Sequence, residues 1–306
     1  MEIRKIKKLD RIKIKKLDRV KNNLETNKYT MRCPQCFSRF DIITGNSLIC
    51  KGKHCFDISK KGYLNFLKTK KSDIYNRELF QARNSVYTYG VYNALFKEIS
   101  DIITANIKSN SISRILDAGS GEGYLLNYLS KVKQISDKTN LIGADISKEA
   151  IKISAMDEEN ILWCVTDLSN LPVMDKEIDI ILNVLSPANY SEFKRILNPL
   201  GIVIKVVPEE GYLKEIRRNL TGYIERESYS NEKIVNKFEE NLELVYEKRI
   251  KYTIKIDKKT LKDLLKMTPM TSNIPLKKLE DILDSNINEI TIDLKLLIGK
   301  TKNELV

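Results

Sequence analysis

The stretch Ile115-Leu116-Asp117-Ala118-Gly119-Ser120-Gly121-Glu122-Gly123-Tyr124 decides the fold. An apolar strand ends in a carboxylate and runs into a turn with three alternating glycines. Glycine lets the backbone turn sharply and lets a ligand approach it closely. After the first strand of an open parallel sheet, such a turn marks the ligand crevice. A dinucleotide fold spaces its glycines G-x-G-x-x-G. Here the pattern is D-x-G-x-G-x-G, which argues against a nicotinamide enzyme.

Working outward, strand and helix patterns alternate. Ile112–Leu116 reads as a first strand, followed by the glycine turn and a helix near Tyr124–Leu129. Leu141–Ala144 reads as a second strand with a helix from Lys148 to Ala155. Ile161–Val165 is a third strand, Ile178–Leu185 a fourth, Glu192–Leu197 a short helix and Ile202–Val207 a fifth strand. This alternation predicts an α/β fold, a mostly parallel sheet with helices on both faces. Further on, helices are expected at 231–240, 259–266 and 277–284. The long strand-like runs Leu242–Ile256 and Ile290–Ile298 suit an antiparallel hairpin at the sheet's edge.

The D-x-G-x-G-x-G loop resembles motif I of the class I S-adenosylmethionine-dependent methyltransferases. That resemblance implies a Rossmann-like sheet of seven strands and a cofactor with ribose, adenine, sulfonium and amino-acid ends but no pyrophosphate. The cofactor loops are then Asp117, Gly119, Gly121, Glu122 and Gly123 after the first strand, Asp145 and Ile146 after the second, and Asp167 and Leu168 after the third. Asp145 is placed to accept the ribose hydroxyls and Asp167 to meet the adenine. Asp117 either fixes the loop or approaches the aminoacyl end. As alternatives, Asp145 caps the next helix, although Ser147 can do so, and Asp167 is a plain loop residue.

Ahead of this domain lies Cys33-x2-Cys36-x13-Cys50-x3-His54, which holds the chain's single histidine. Two thiolates from one knuckle and a Cys/His pair from another have the spacing of a tetrahedral zinc site. Cys55 is an alternative fourth ligand. Gly45-Asn46, between two apolar runs, reads as the hairpin turn joining the two ligand pairs. Phe56, Tyr63, Leu64, Phe66 and Leu67 are expected to pack beneath the metal.

The 306 residues carry a formal net charge of +12, with 42% apolar and 31% charged residues. That composition is ordinary for a soluble globular protein, and the excess of positive charge fits a polyanionic partner such as nucleic acid. A lysine-rich but inert surface is the plainer alternative. No apolar stretch reaches the ~20 residues that cross a bilayer, so no membrane partner is expected. Five cysteines with metal spacing fit a reducing, cytoplasmic setting. Four segments are expected: a basic extension over 1–28, a zinc module over 29–68, a helical connection over 69–108 and the methyltransferase domain over 109–306. Within the extension, Ile6–Arg11 returns as Ile14–Arg19, as either a short helix or a phosphate-touching arm.

The whole order of segments resembles the 23S rRNA (guanine-N1-)-methyltransferases of the RlmA type, which include tylosin-resistance methyltransferases. The resemblance runs through Cys33-Pro34-Gln35-Cys36, Cys50-x3-His54-x-Phe56-Asp57, Gly62-Tyr63-Leu64-Asn65, Gln81-Ala82-Arg83, Asp145–Lys152, Ser186-Pro187 and Lys266-Met267-Thr268-Pro269. It implies methyl transfer from S-adenosylmethionine to N1 of a guanosine in a hairpin loop of 23S rRNA domain II. It also implies a structural zinc module that recognises RNA, and a homodimer. Position by position, it places cofactor contacts at Tyr92, Gly121, Glu122, Asp145 and Tyr212. Tyr212 is a departure, because better-known members have histidine there. Asn183 to Asn189 are expected to line the pocket for the flipped base.

No catalytic base stands out; Glu122, Asn183 and Tyr212 are the candidates for taking the N1 proton. Two other functional classes compete with this one. A small-molecule methyltransferase leaves the zinc module and the positive charge without a role. A catalytically silent RNA-binding protein has no need to keep Asp117, Gly119, Gly121 and Asp145.

Overall fold

The computed structural model describes residues 17–27, 29–68, 77–156, 160–224 and 229–302. The first copy of the basic repeat lies outside the described residues. Residues 17–27, which begin within the second copy, form a helix, α1. The chain folds as two compact units, residues 1–74 with 100–203, and 75–99 with 204–306.

The first unit opens with a three-stranded antiparallel ribbon, β1 (Phe40–Thr44), β2 (Ser47–Cys50) and β3 (Cys55–Asp57). The expected turn is present: Thr44 pairs with Ser47, and Gly45 takes φ 56°. An aromatic trio fills the ribbon, with Phe40–Phe56, Phe56–Phe66 and Phe40–Phe66 centroids 5.7, 5.1 and 6.0 Å apart. Phe56, Tyr63, Leu64 and Phe66 are buried as expected, and Leu67 is half-buried.

The larger sheet of this unit has the order β9-β8-β5-β6-β7-β4. Its strands are β4 (Tyr63–Asn65), β5 (Ser113–Ala118), β6 (Thr139–Asp145), β7 (Ile161–Val165), β8 (Ile178–Val184) and β9 (Leu197–Pro208), the last running on into the second unit. β5 pairs in parallel with β6 and β8, and β6 with β7. Strands such as Ile161–Val165 are buried throughout, as a sheet covered on both faces requires. Helices α4 (Tyr124–Leu129), α5 (Lys133–Ser136), α6 (Lys148–Ser154) and α7 (Tyr190–Ile196) lie between the strands. β4 is an addition to the expected seven strands. Tyr63, Leu64 and Asn65 pair in parallel with Trp163, Cys164 and Val165, so the end of the zinc module forms a strand of the catalytic sheet. Three residues are too few to announce a strand by periodicity; the exposed edge of β7 recruits them.

The second unit carries the order β10-β11-β9, with β10 (Glu243–Lys255) and β11 (Glu289–Lys300) forming the expected antiparallel hairpin pair. Its helices are α2 (Arg77–Tyr89), α3 (Asn93–Asn106, which passes into the first unit), α8 (Lys214–Asn219), α9 (Glu232–Asn241), α10 (Lys258–Met267) and α11 (Leu276–Asp284). Of the stretch read as a helical connection, residues 77–99 therefore group with the C-terminal part of the chain, with α2 against α10, and residues 100–108 with the first unit.

Candidate active site and zinc centre

Three backbone inversions shape the glycine loop. Gly119, Gly121 and Gly123 take φ values of 90°, 54° and 78°. A Cβ on Gly119 would stand 1.9 Å from Ser186 Oγ, and one on Gly123 would stand 2.4 Å from Trp163 Cη2. Neither space nor conformation admits a side chain at those two positions. Asn183, wholly buried, ties the opposite loop down: its Nδ2 donates to the carbonyls of Ala118 and Pro187, both at 2.9 Å. Both bonds use the Nδ2 donor and give the Asn183 side chain a positioning role between the two loops. Leu185, two residues on, is held at φ 51°.

Asp145 closes the loop from the next strand. Gly121 N donates to its Oδ2 and Ser147 N to its Oδ1, each at 2.8 Å. Ser147 accepts from Ala150 N and is itself the cap of α6, so capping does not account for Asp145. A carboxylate at the end of the second strand is an acceptor-only group of the kind a diol's hydroxyls donate to. Asp117 lies beneath, 3% exposed, and its carboxyl is pushed up to about 8 by burial and by the charges of Asp145 and Glu122. A cationic group docking here relieves that cost. Asp167 folds into a local turn, its Oδ1 accepting from Ser169 N at 2.9 Å and Ser169 Oγ at 2.8 Å. Ile146, 41% exposed, and half-buried Leu168 offer apolar surface after β6 and β7.

Tyr92 and Tyr212 meet in the second unit, hydroxyl to hydroxyl at 2.5 Å. Burial raises both phenols, and the neighbouring tyrosines add to it at Tyr92, which is held well above its ordinary value. Neither is a proton acceptor near neutrality, which removes Tyr212 from the candidate bases. The Tyr212 loop is fixed by β11: Glu209 N donates to Asp293 O and Leu213 N to Thr291 O, both at 2.9 Å. Arg249 makes two bonds to the buried Asp293 carboxylate, at 2.8 and 2.7 Å. No motif announces Asp293 and Arg249; the one signal is that the largely apolar run Ile290–Ile298 carries two charged residues, Asp293 and Lys295.

In the ribbon, one ligand atom each from Cys33, Cys36, Cys50 and His54 converges, all within 4.8 Å of one another. Cys36 Sγ–Cys50 Sγ is 3.5 Å, Cys33 Sγ–His54 Nδ1 3.6 Å and Cys50 Sγ–His54 Nδ1 3.5 Å. A tetrahedron with Zn–S bonds of ~2.3 Å and a Zn–N bond of ~2.0 Å has edges of about 3.5–3.8 Å, so the donor set fits zinc. Gly52 is needed for that approach, because a Cβ there would lie 2.9 Å from Cys36 Sγ. Cys55 is exposed on β3 and lies outside the cluster. Without a cation, burial pushes the Cys33 thiol up to about 11, while hydrogen bonds from Ser38 draw Cys36 down to about 6.

The ribbon is bonded to the loop after β7. Arg32 N donates to Pro172 O at 3.0 Å, Met174 N to Thr30 O at 2.8 Å, and Asn170 Nδ2 to the knuckle carbonyl of Pro34 at 2.9 Å. Arg195 locks that loop by donating to Leu171 O, Val173 O and Glu192.

A parallel sheet with this glycine loop, next to a closed Cys3His cluster, defines a class I S-adenosylmethionine-dependent methyltransferase with a structural zinc ribbon. Residues 31–72 match the N-terminal zinc-ribbon family model of RlmA, and residues 109–267 match a methyltransferase-domain model. YxjB of Bacillus subtilis, provisionally named a 23S rRNA (guanine-N(1)-)-methyltransferase, is 35% identical over 88% of this chain and 96% of its own. The 23S rRNA (guanine(748)-N(1))-methyltransferase of Streptomyces fradiae is 25% identical over 78% of this chain and 84% of its own. Among solved structures, YcgJ of Bacillus subtilis is 17% identical over 67% of this chain and 98% of its own, with a TM-score of 0.46. The chain belongs to the RlmA-type family of 23S rRNA (guanine-N1-)-methyltransferases. No helix among the described residues is long and apolar enough to cross a membrane.

Proposed function

We propose that the chain methylates N1 of a guanosine in a hairpin loop of 23S rRNA domain II, in the cytoplasm and as a homodimer. The observation that carries this reading is the joining of an RlmA-type zinc ribbon to a methyltransferase domain in one chain, matched almost end to end by YxjB.

S-adenosylmethionine supplies an activated methyl group on a sulfonium. The work left to the protein is orientation and management of the N1 proton. Asp145 would hold the ribose hydroxyls, and the bare backbone at Gly119, Gly121 and Gly123 would let the cofactor lie against the loop. Asp117 would face its ammonium, Asp167 its adenine amino group, and Ile146 and Leu168 its adenine faces. The family resemblance extends the contacts to Glu122, Tyr92 and Tyr212. Of the three candidate bases, Glu122 is the one carboxyl group, the side-chain type best suited to accept the N1 proton. Cys33, Cys36, Cys50 and His54 would hold zinc in a closed set with no open position, so the metal would support structure and leave the chemistry to the other domain.

The test is primer extension on 23S rRNA incubated with the protein and cofactor. A methyl on N1 blocks the base's pairing edge, so reverse transcription stops one nucleotide before the modified guanosine. A stop within the domain II hairpin is the expected result, and its absence sinks the substrate assignment. Sedimentation checks the dimer.

A further inference from the structure

The two knuckles of the ribbon share a peculiarity. Each places a residue other than glycine in left-handed backbone: Phe37, directly after Cys36, at φ 60°, and Lys53, three residues after Cys50, at φ 62°. A bulky side chain in that region is strained, and a strained residue kept in place points to use. Phe37 N donates to Cys33 O at 2.8 Å, so the knuckle turn itself imposes the conformation. Glycine would satisfy it without cost. Phe37 is nevertheless 56% exposed.

One side of the Phe37 ring is occupied. The guanidinium carbon of Arg32 lies 4.7 Å from the ring centroid. Arg32 is itself held fast, its side chain 11% exposed, with Asn170 Oδ1 at 3.4 Å, Glu192 at 3.8 Å and Asp175 at 4.0 Å. Both carboxylates are held at 2.7 Å by Arg195, so the largely buried Arg32 guanidinium keeps its positive charge behind the ring. The result is a planar aromatic group with a fixed cation behind it and solvent in front. Such a surface takes another flat π system by stacking, as unpaired nucleobases do on aromatic side chains.

The surroundings favour a polyanion. Residues 29–68 hold seven lysines and arginines against two aspartates. Arg39, Lys51, Lys53, Lys60, Lys61 and Lys68 are all exposed. An apolar partner protein has no use for that charge, whereas a single-stranded loop of RNA offers phosphates and unstacked bases together.

We propose that Phe37, backed by Arg32, is a stacking platform for an unpaired base of the substrate RNA, with Lys53 on the second knuckle contacting its backbone. This rests on the rRNA reading and adds to it a residue that determines where the loop sits.

The experiment compares Phe37→Leu, Phe37→Gly and Phe37→Trp with the parent protein. The probes are a domain II hairpin transcript carrying 2-aminopurine at successive loop positions and a fully paired duplex of equal length. Leucine and glycine should weaken hairpin binding about ten-fold or more. Tryptophan should restore it, and duplex binding should be unchanged. Quenching of one loop 2-aminopurine should be seen with the parent and Phe37→Trp but not with Phe37→Leu. Zinc content and cofactor affinity should stay at parental values throughout. Hairpin binding by Phe37→Leu at parental strength overturns the proposal, as does failure of tryptophan to rescue. A loss of thermal stability with RNA binding intact makes the ring a mere cover for Arg32. A change in sedimentation alone makes it a contact between copies, and either result also overturns the proposal. Methyl transfer by the parent to rRNA is followed in parallel. Its absence breaks the rRNA reading, while intact transfer with indifferent variants breaks the stacking proposal alone.

Discussion

The ribbon brings four ligand atoms together with three short strands and an aromatic trio, whereas the parallel sheet aims Asp117 and Asp145 at one end from strands that are almost wholly buried. The ribbon has too little apolar interior to order its knuckles unaided, so its geometry depends on the ion it binds. The glycine loop depends on burial and on backbone shape. Two sites in one chain are thus organised by opposite means, and they should fail independently.

The largest expected effect tests the ribbon. Cys50→Ala should abolish tightly held metal, open residues 31–68 to proteolysis and reduce RNA binding by about 100-fold or more. A structural zinc is worth about 10 kcal/mol or more of folding free energy. Cofactor affinity should stay within about three-fold, since the glycine loop rests on buried strands. A parallel collapse of cofactor binding in calorimetry would break the contrast and show that the bonds from residues 30–34 to the loop after β7 transmit disorder.

The reciprocal test removes Asp145. Asp145→Ala deletes a charged acceptor that also holds Gly121 N and Ser147 N. Charge-assisted bonds contribute about 1.5–3 kcal/mol, so cofactor affinity should fall roughly 10- to 150-fold. Metal analysis should find the zinc content untouched. Unchanged calorimetric affinity would end the ribose assignment.

A pair of glycine substitutions sharpens the comparison at lower energy. Gly119→Ala meets both a positive φ and Ser186 at 1.9 Å, and should cost about 2–3 kcal/mol in denaturant unfolding. Gly45→Ala in the ribbon hairpin has the same handedness but meets nothing within 4 Å. It should cost only about 1 kcal/mol. Equal costs would mean that backbone strain, and not close approach, fixes the glycine loop.

Legibility in the sequence divides the same way. The β5 to β9 order, the terminal hairpin and the zinc spacing can be read because each carries a local period or spacing. Ser113–Ala118, Ile161–Val165 and Ile178–Val184 lie within two residues of the strands expected. What escapes is everything set by tertiary partners. β4 exists because β7 leaves an edge to pair, and residues 77–99 pack with the C-terminal unit without any signal in their own pattern. The positioning roles of Asn183 and of the Arg249–Asp293 pair depend on partners 65 and 44 residues away. Spacing alone leaves Cys55 open beside His54. The pleat of β3 turns the cysteine to solvent and leaves the histidine in the knuckle.

Asp117 supplies the effect most particular to the sheet. Its carboxyl is raised to about 8 in the folded protein from an ordinary value of 3.8. The folded state therefore holds this proton more tightly than the unfolded chain does. The group costs nothing below pH 4, its penalty grows as pH rises from 4 to 8, and the full penalty persists above 8. Asp117→Asn removes the ionisable group, so in the absence of cofactor its melting temperature should exceed the parent's at pH 8.5. The gap should vanish near pH 4. Saturating cofactor should narrow the gap at pH 8.5, because its ammonium offers the carboxylate a partner that asparagine cannot use. A gap independent of pH would place the cost of Asp117 in packing, and the sheet's end would then lack the stored electrostatic cost that sets it apart from the ribbon.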